Sequence, residues 1–137
     1  MEMESMNAEL ARTQTENMKT VLVVDDNETM CSLIKLILGR DYKVEIRFDG
    51  QEALNYLNQG NKPDLILLDM MMPIMNGRTF VRRVHGNPRY GNVPIIFITT
   101  VDSAMLANSF KNMGVVDYII KPFNNADLLK RVNDFLK

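Results

Sequence analysis

Five short apolar runs, spaced along the chain from residue 20 onward, constrain the fold more than any other feature of this sequence. Four of them are nearly continuous in Val, Ile and Leu, which is typical of strands buried on both faces. The second run alternates apolar with charged residues, which indicates an edge strand. The predicted strands are 21–24, 44–48, 65–68, 95–98 and 115–120.

Segments with helical periodicity separate the runs. After the first run, apolar side chains recur from Met30 at i, i+3, i+4 and i+7, and Asp26 or Asn27 is available as the N-cap. Gly39 follows the last turn, as glycine often does at helix ends. The other helices are expected at about 51–57, from about 76 onward, at about 102–113, and after a cap at Asn124 or Asn125.

Strands that alternate with helices of about ten residues imply right-handed crossovers and a parallel sheet covered by helices on both faces. We therefore expect an α/β fold of the (βα)5 type, a flavodoxin-like three-layer sandwich with strand order 2-1-3-4-5. In such a sheet, ligands bind beyond the carboxyl ends of the strands, where the strand order reverses. The residues that follow each apolar run are therefore the candidates for a functional site.

The length of 137 residues suits one domain, and 46% apolar with 24% charged residues is ordinary for a globular protein. We assign residues 20–137 to that domain and the polar residues 1–19 to a flexible N-terminal lead. The formal net charge of −1 means that the chain lacks the excess of positive charge that binding to nucleic acid or an anionic membrane would require. A single cysteine, no apolar run of membrane-spanning length and no signal-peptide pattern make the cytoplasm the expected location.

Acidic residues follow two of the predicted strands. Asp25 and Asp26 come directly after the first, and Asp69 ends the third. Carboxylates that crowd together repel one another, so such a group either keeps a proton or holds a cation. Oxygen ligands favour a hard cation, for which Mg²⁺ fits best and Mn²⁺ is the alternative.

The fourth and fifth runs bring hydroxyls and a cation to the same edge. Thr99 and Thr100 end the fourth strand, and Lys121 follows the fifth. A lysine opposite a metal ion would bind an anion, and a phosphoryl group fits best. Asp69 is then either a simple metal ligand or a carboxylate nucleophile that forms an acyl phosphate.

Four segments carry these residues: VLVVDDN at 21–27, LILLDMMMPIMNG at 65–77, PIIFITT at 94–100 and DYIIKPF at 117–123. Together they make the chain resemble the receiver domain of two-component response regulators, and the single-domain chemotaxis regulators among them. The resemblance is specific because all four segments occur in the order that the family has, whereas any one segment alone would be a weak signal. The resemblance covers residues 20–137.

The resemblance implies that Asp69 accepts a phosphoryl group from the phosphohistidine of a histidine kinase. The chain would then be a phosphorylation-controlled switch, and a substrate of the transfer instead of an enzyme. Mg²⁺ would be held by Asp25, Asp26, Asp69 and the backbone carbonyl of Met71. Thr99 would be the switch hydroxyl, Tyr118 the switch aromatic and Lys121 the phosphate partner, with a cis bond between Lys121 and Pro122.

Three positions depart from the usual residues of the family. Met71 and Val101, where the family tunes the lifetime of the acyl phosphate, are apolar and cannot position a water, which predicts slow autodephosphorylation. Thr100 stands where a smaller residue is usual and would narrow access to the phosphoryl site. The surface around the fourth helix and fifth strand carries output in this family, so the candidate partner surface comprises Met105, Phe110, Met113 and Val115.

The expected partners are a sensor histidine kinase or phosphotransfer protein, and a downstream protein or a separate output domain. Homodimerisation on phosphorylation stays open, and no direct contact with nucleic acid or membrane is expected. Two alternatives are a pseudo-receiver, which would bind partners without phosphate, and an aspartate-nucleophile phosphatase. The first would be expected to lack one of the site residues, yet all are present; the second needs an acid where Met71 stands.

Overall fold

The computed structural model describes residues 18–100, 112 and 114–137. Its strands are β1 (Thr20–Val24), β2 (Lys43–Arg47), β3 (Leu65–Asp69), β4 (Ile95–Thr99) and β5 (Asp117–Ile120). All five are parallel and form one sheet in the order β2-β1-β3-β4-β5, which confirms the predicted fold class and strand order. The helix expected at 102–113 lies almost wholly outside the described residues.

The helices of the described residues each begin at a side chain that caps the amino end. They are α1 (Glu28–Leu38, capped by Asn27), α2 (Gly50–Asn58, Asp49), α3 (Gly77–His85, Asn76) and α4 (Asn125–Leu136, Asn124). In each, the capping oxygen accepts a backbone N–H of the first turn, a contact that typically stabilises by about 1 kcal/mol. None of these helices is long and apolar enough to span a membrane.

Alternate strand residues face opposite sides of the sheet, and the two faces build separate cores. On one face, Leu22 and Phe97 pack with residues of α2 and α3. On the other face, Val23 and Leu67 pack with residues of α1 and α4. The central strands are buried on both faces, as their continuous apolar runs predict, whereas β2 at the edge is half-buried. This three-layer arrangement brings the carboxyl ends of the strands to one edge.

Several element boundaries differ from the expected ones. β2 starts one residue early, because Lys43 already pairs with Thr20, and it ends before Phe48. β5 starts at Asp117 and not at Val115, because its pairing with β4 begins there. Apolar composition locates a strand, but the partner strand decides where the ladder starts and ends.

Candidate functional site

Asp25 follows β1 and is 1% exposed. Its Oδ1 accepts the backbone N–H of Asn27 at 2.9 Å, which ties the carboxylate to the turn that leads into α1. The Sγ of Cys31 donates to the backbone carbonyl of Asp25 at 3.2 Å. Both the backbone and the side chain of Asp25 are therefore held in place, and its Oδ2 faces the site.

Asp69 is the last residue of β3 and is 8% exposed. Its Oδ1 accepts the backbone N–H of Met71 at 3.1 Å, which is the same local turn as at Asp25. Its Oδ2 lies 3.8 Å from the Nζ of Lys121. The turn thus fixes one carboxylate oxygen and leaves the other on the side of the lysine.

The exposed Asp26 completes an acidic cluster. One oxygen each from Asp25, Asp26 and Asp69 lies within 4.8 Å of the others. The Nζ of Lys121 donates to the Oδ2 of Asp25 at 3.0 Å, so the lysine is nearer to Asp25 than to Asp69. One ammonium group therefore faces several carboxylates in a mostly buried setting, which leaves excess negative charge at this edge.

The pKa of Asp69 is raised to about 6. Burial of the carboxyl group is the largest cause and the nearby carboxylate of Asp25 acts in the same direction, while the N–H of Met71 and the charge of Lys121 oppose the shift. Burial and the negative charge of Asp25 also raise the pKa of the Cys31 thiol to about 12. Cys31 is thus a protonated donor within the core.

The cluster fits a hard divalent cation. Its donors are carboxylate oxygens, with no thiolate or imidazole among them, which matches the preference of Mg²⁺ and Mn²⁺. A dication would also offset the repulsion that the three aspartates, Asp25, Asp26 and Asp69, impose on one another. The participation of the Met71 carbonyl stays a prediction.

Thr99 and Lys121 lie side by side at the ends of β4 and β5. The backbone N–H of Lys121 donates to the carbonyl of Thr99 at 2.7 Å. Thr99 is fully buried, whereas Thr100 is exposed. The peptide bond between Lys121 and Pro122 is cis. The structure therefore brings Asp25, Asp26, Asp69, Thr99 and Lys121 to one edge of the sheet.

The predicted switch aromatic, Tyr118, lies within β5, and Val115 of the predicted partner surface lies just before this strand. Tyr118 is half-buried, pairs in register with Phe97, and packs on the core shared by α2 and α3. Val115 packs on the same core and is half-buried, so it contributes little free surface. Val101, Met105, Phe110 and Met113 lie outside the described residues.

Gly77 is a structural residue that the sequence reasoning missed. A Cβ at this position would lie 2.9 Å from the Cα of Met70 and 2.9 Å from the Cε1 of Phe97. The N–H of Gly77 donates to the carbonyl of Met70 at 3.0 Å. A glycine at the first position of a helix, where no turn requires it, was the available signal. The absence of a side chain at Gly77 lets the start of α3 approach the backbone of Met70, the residue after Asp69.

The comparisons with known proteins agree with this geometry. A family model of the response regulator receiver domain matches residues 21–133. The chain therefore belongs to the receiver domain family of two-component signal transduction.

Three relatives illustrate the match. The chemotaxis response regulator CheY4 of Vibrio cholerae superposes with a TM-score of 0.80 at 34% identity, covering 87% of this chain and 99% of that one. The Mn²⁺-bound form of the response regulator Rcp1 gives a TM-score of 0.71 at 28% identity, covering 85% and 90%. The sensor histidine kinase TmoS of Ectopseudomonas mendocina is 33% identical over 129 residues, which cover 94% of this chain and 13% of TmoS. The chain spans about half or less of the length of the curated relatives compared.

Proposed function

We propose that Asp69 accepts a phosphoryl group from the phosphohistidine of a sensor histidine kinase or phosphotransfer protein, and that the chain acts as a phosphorylation-controlled switch. The observation that carries this proposal is the placement of Asp69: a mostly buried carboxylate within 4.8 Å of two others, with the Nζ of Lys121 3.8 Å away. Membership of the receiver family supports the same role.

In the transfer, a carboxylate oxygen of Asp69 attacks phosphorus, and the bond between phosphorus and the histidine nitrogen breaks. The bonding electrons stay on the imidazole, which takes up a proton, so the chain gains an acyl phosphate. Oδ1 is engaged by the N–H of Met71, and Oδ2 is the oxygen nearer to Lys121. The lysine, now donating to Asp25, would turn to the phosphoryl oxygens and stabilise their charge.

The metal site is part of the proposal. Asp25, Asp26 and Asp69, with the Met71 carbonyl, would hold Mg²⁺ or Mn²⁺, and a Mn²⁺-bound form is known for the relative Rcp1. When bound, the cation supplies positive charge that neutralises the transferring phosphoryl group. Two features of the chain itself prepare Asp69 for the transfer. The turn at Met71 orients its carboxylate, and its burial excludes water.

The response to phosphorylation would run through Thr99 and Tyr118. The buried Thr99 lies at the end of β4 beside Lys121, so its hydroxyl would lie near the new phosphoryl oxygens. Tyr118, two residues from the end of β5, would change its packing on the core as Thr99 moves. The apolar side chain of Met71 predicts a long-lived acyl phosphate. A downstream protein or output domain in the cytoplasm would read the change.

Intact mass spectrometry after incubation with acetyl phosphate tests the proposal. We expect a single phosphoryl adduct that depends on Mg²⁺ and is absent from Asp69→Asn. The matched control is Asp134→Asn, which removes an exposed aspartate of α4 and should keep the adduct.

Other outcomes separate the alternatives. No adduct from acetyl phosphate or from a phosphorylated histidine donor would favour a phosphate-independent pseudo-receiver. Sustained release of many phosphates per chain would favour a phosphatase. An adduct that persists in Asp69→Asn would place the acceptor elsewhere and overturn the assignment.

A further inference from the structure

Positive charge is concentrated in one stretch of this chain. Between Asp69 and Asp102 there is no acidic residue, yet the stretch holds four arginines and the single histidine of the protein. The whole chain, by contrast, has a net charge of −1. Such segregation of charge by segment creates a local field that the net charge conceals.

The structure gathers this charge on α3 and the loop that follows it. Arg78, Arg82, Arg83, His85 and Arg89 are all exposed, and we name them the basic face. None of them forms an ion pair with another described residue, whereas Lys43, Lys121, Lys130 and Arg131 all do. Among the described residues, no carboxylate therefore pairs with the four guanidinium groups of the basic face, which leaves them available to a partner protein.

Helix stability does not account for the whole basic face. The first turns of α1, α2 and α4 each contain an acidic residue, which suits the positive end of the helix dipole, but the first turn of α3 contains none. Arg78 stands in that turn instead, one turn before Arg82, and like charges at this spacing repel. Arg82, Arg83 and His85 near the carboxyl end do favour the dipole. The unfavourable position of Arg78 points to a role in binding.

The basic face contains a recess that is lined by three of its residues. Arg78, Val81, Arg82, His85 and Asn112 line a cavity of about 320 Å³ beside α3. The imidazole of His85 lies against Gly114, where a Cβ would come within 2.8 Å of its Cε1. Two guanidinium groups and an imidazole thus surround a concave site that can take one or two carboxylate side chains.

We propose that the basic face is a docking surface for an acidic segment of a partner protein. Arginine forks pair with carboxylates in bidentate geometry, and the recess between Arg78 and Arg82 would hold the central acidic side chain. Charge complementarity selects this occupant. Nucleic acid is the weaker candidate, since the chain as a whole is slightly acidic, with an isoelectric point of about 5.8. Such binding would not require a phosphoryl group on Asp69.

Fluorescence anisotropy with a labelled peptide of glutamate and glycine tests the proposal on the unphosphorylated chain. We expect binding at low salt that weakens as salt rises, and no binding to the same peptide with glutamine in place of glutamate. Arg78→Glu should weaken binding by about tenfold or more. Arg40→Glu makes the same charge change at an exposed arginine after α1, in the opposite layer, and should weaken it by less than about twofold.

Thermal unfolding shows whether a variant that loses binding is still folded. Arg78→Glu puts an acid in the first turn of α3 and one turn before Arg82, so its melting temperature should rise slightly as binding falls. Equal losses in Arg78→Glu and Arg40→Glu, no binding by the wild type at low salt, or tighter binding to a DNA duplex than to the peptide would each overturn the proposal. None of these outcomes bears on phosphoryl transfer to Asp69, because no phosphodonor is present.

Discussion

The loops after β1 and β3 make the same kind of connection but differ in length. Each runs from a buried aspartate at a strand end to an asparagine that caps the next helix. In each, Oδ1 of the aspartate accepts the N–H two residues on, at 2.9 Å for Asp25 and 3.1 Å for Asp69. One residue separates Asp25 from Asn27, whereas residues 70–75 separate Asp69 from Asn76.

The two aspartates differ in how their charge is balanced. Lys121 lies 3.0 Å from Asp25 but 3.8 Å from Asp69. The same lysine therefore neutralises the carboxylate of Asp25 more fully, whereas burial, with a contribution from the charge of Asp25, raises the pKa of Asp69 to about 6. The longer loop also contains Ile74, a residue with a positive φ of 70°. A carboxyl group with a raised pKa and a strained residue thus belong to the same strand end and loop, that of the proposed phosphoacceptor.

Removal of Lys121 tests the charge balance most strongly. Lys121→Met should lower the free energy of unfolding by about 3 kcal/mol near neutral pH without metal, because it leaves the buried aspartates without a counter-ion. Urea unfolding in a chelator measures this. Lys130→Met, which breaks the exposed pair with Asp134, should cost less than about 0.5 kcal/mol. Equal losses in the two variants would mean that the pairing of Lys121 with Asp25 contributes nothing.

The sequence was sufficient to predict which residues meet, because strand ends in a parallel sheet share one edge. Asp25, Asp69 and Lys121 follow apolar runs, and that pattern alone brought them together. The order of the strands followed from the same alternation of runs and helices. Caps were predicted only as pairs of neighbours, since Asp26 and Asn27 are equally good capping residues and the turn at Asp25 selects Asn27.

Distances that depend on several elements at once could not be predicted. Whether Lys121 sits nearer to Asp25 or to Asp69 is set by the relative positions of β1, β3 and β5. The left-handed conformation of Ile74 could not be predicted for a different reason, because β-branched residues normally avoid this conformation. A role for the arginines of α3 was not predicted either, because only the structure shows that they form no ion pair with another described residue.

The second prediction concerns the charge of Asp69 itself. A carboxyl group whose pKa is raised on folding destabilises the folded state above that pKa, and the penalty fades as pH falls. Asp69→Asn should therefore raise the free energy of unfolding by about 2 kcal/mol near neutral pH in a chelator. The gain should shrink as the pH falls from about 7 towards 4, through the raised value. Urea unfolding across this range measures it.

The control for this prediction is Asp134→Asn, which lies on the exposed surface of α4. Its stability should follow that of the wild type at every pH, because its carboxylate is solvated. A loss of stability in Asp69→Asn near neutral pH would contradict the account of an unbalanced carboxylate. A constant gain at all pH values would assign the effect to packing.

The smallest predicted effect isolates the strain in the longer loop. Ile74 is 83% exposed, so its side chain gains little from burial to offset a φ of 70°. Glycine adopts this conformation freely, whereas alanine keeps the Cβ that clashes. Ile74→Gly should therefore be more stable than Ile74→Ala by about 1 kcal/mol, as measured by urea unfolding. Since the two variants remove the same apolar surface to within one methyl group, equal stabilities would mean that the loop after β3 carries no strain and that only charge distinguishes it from the loop after β1.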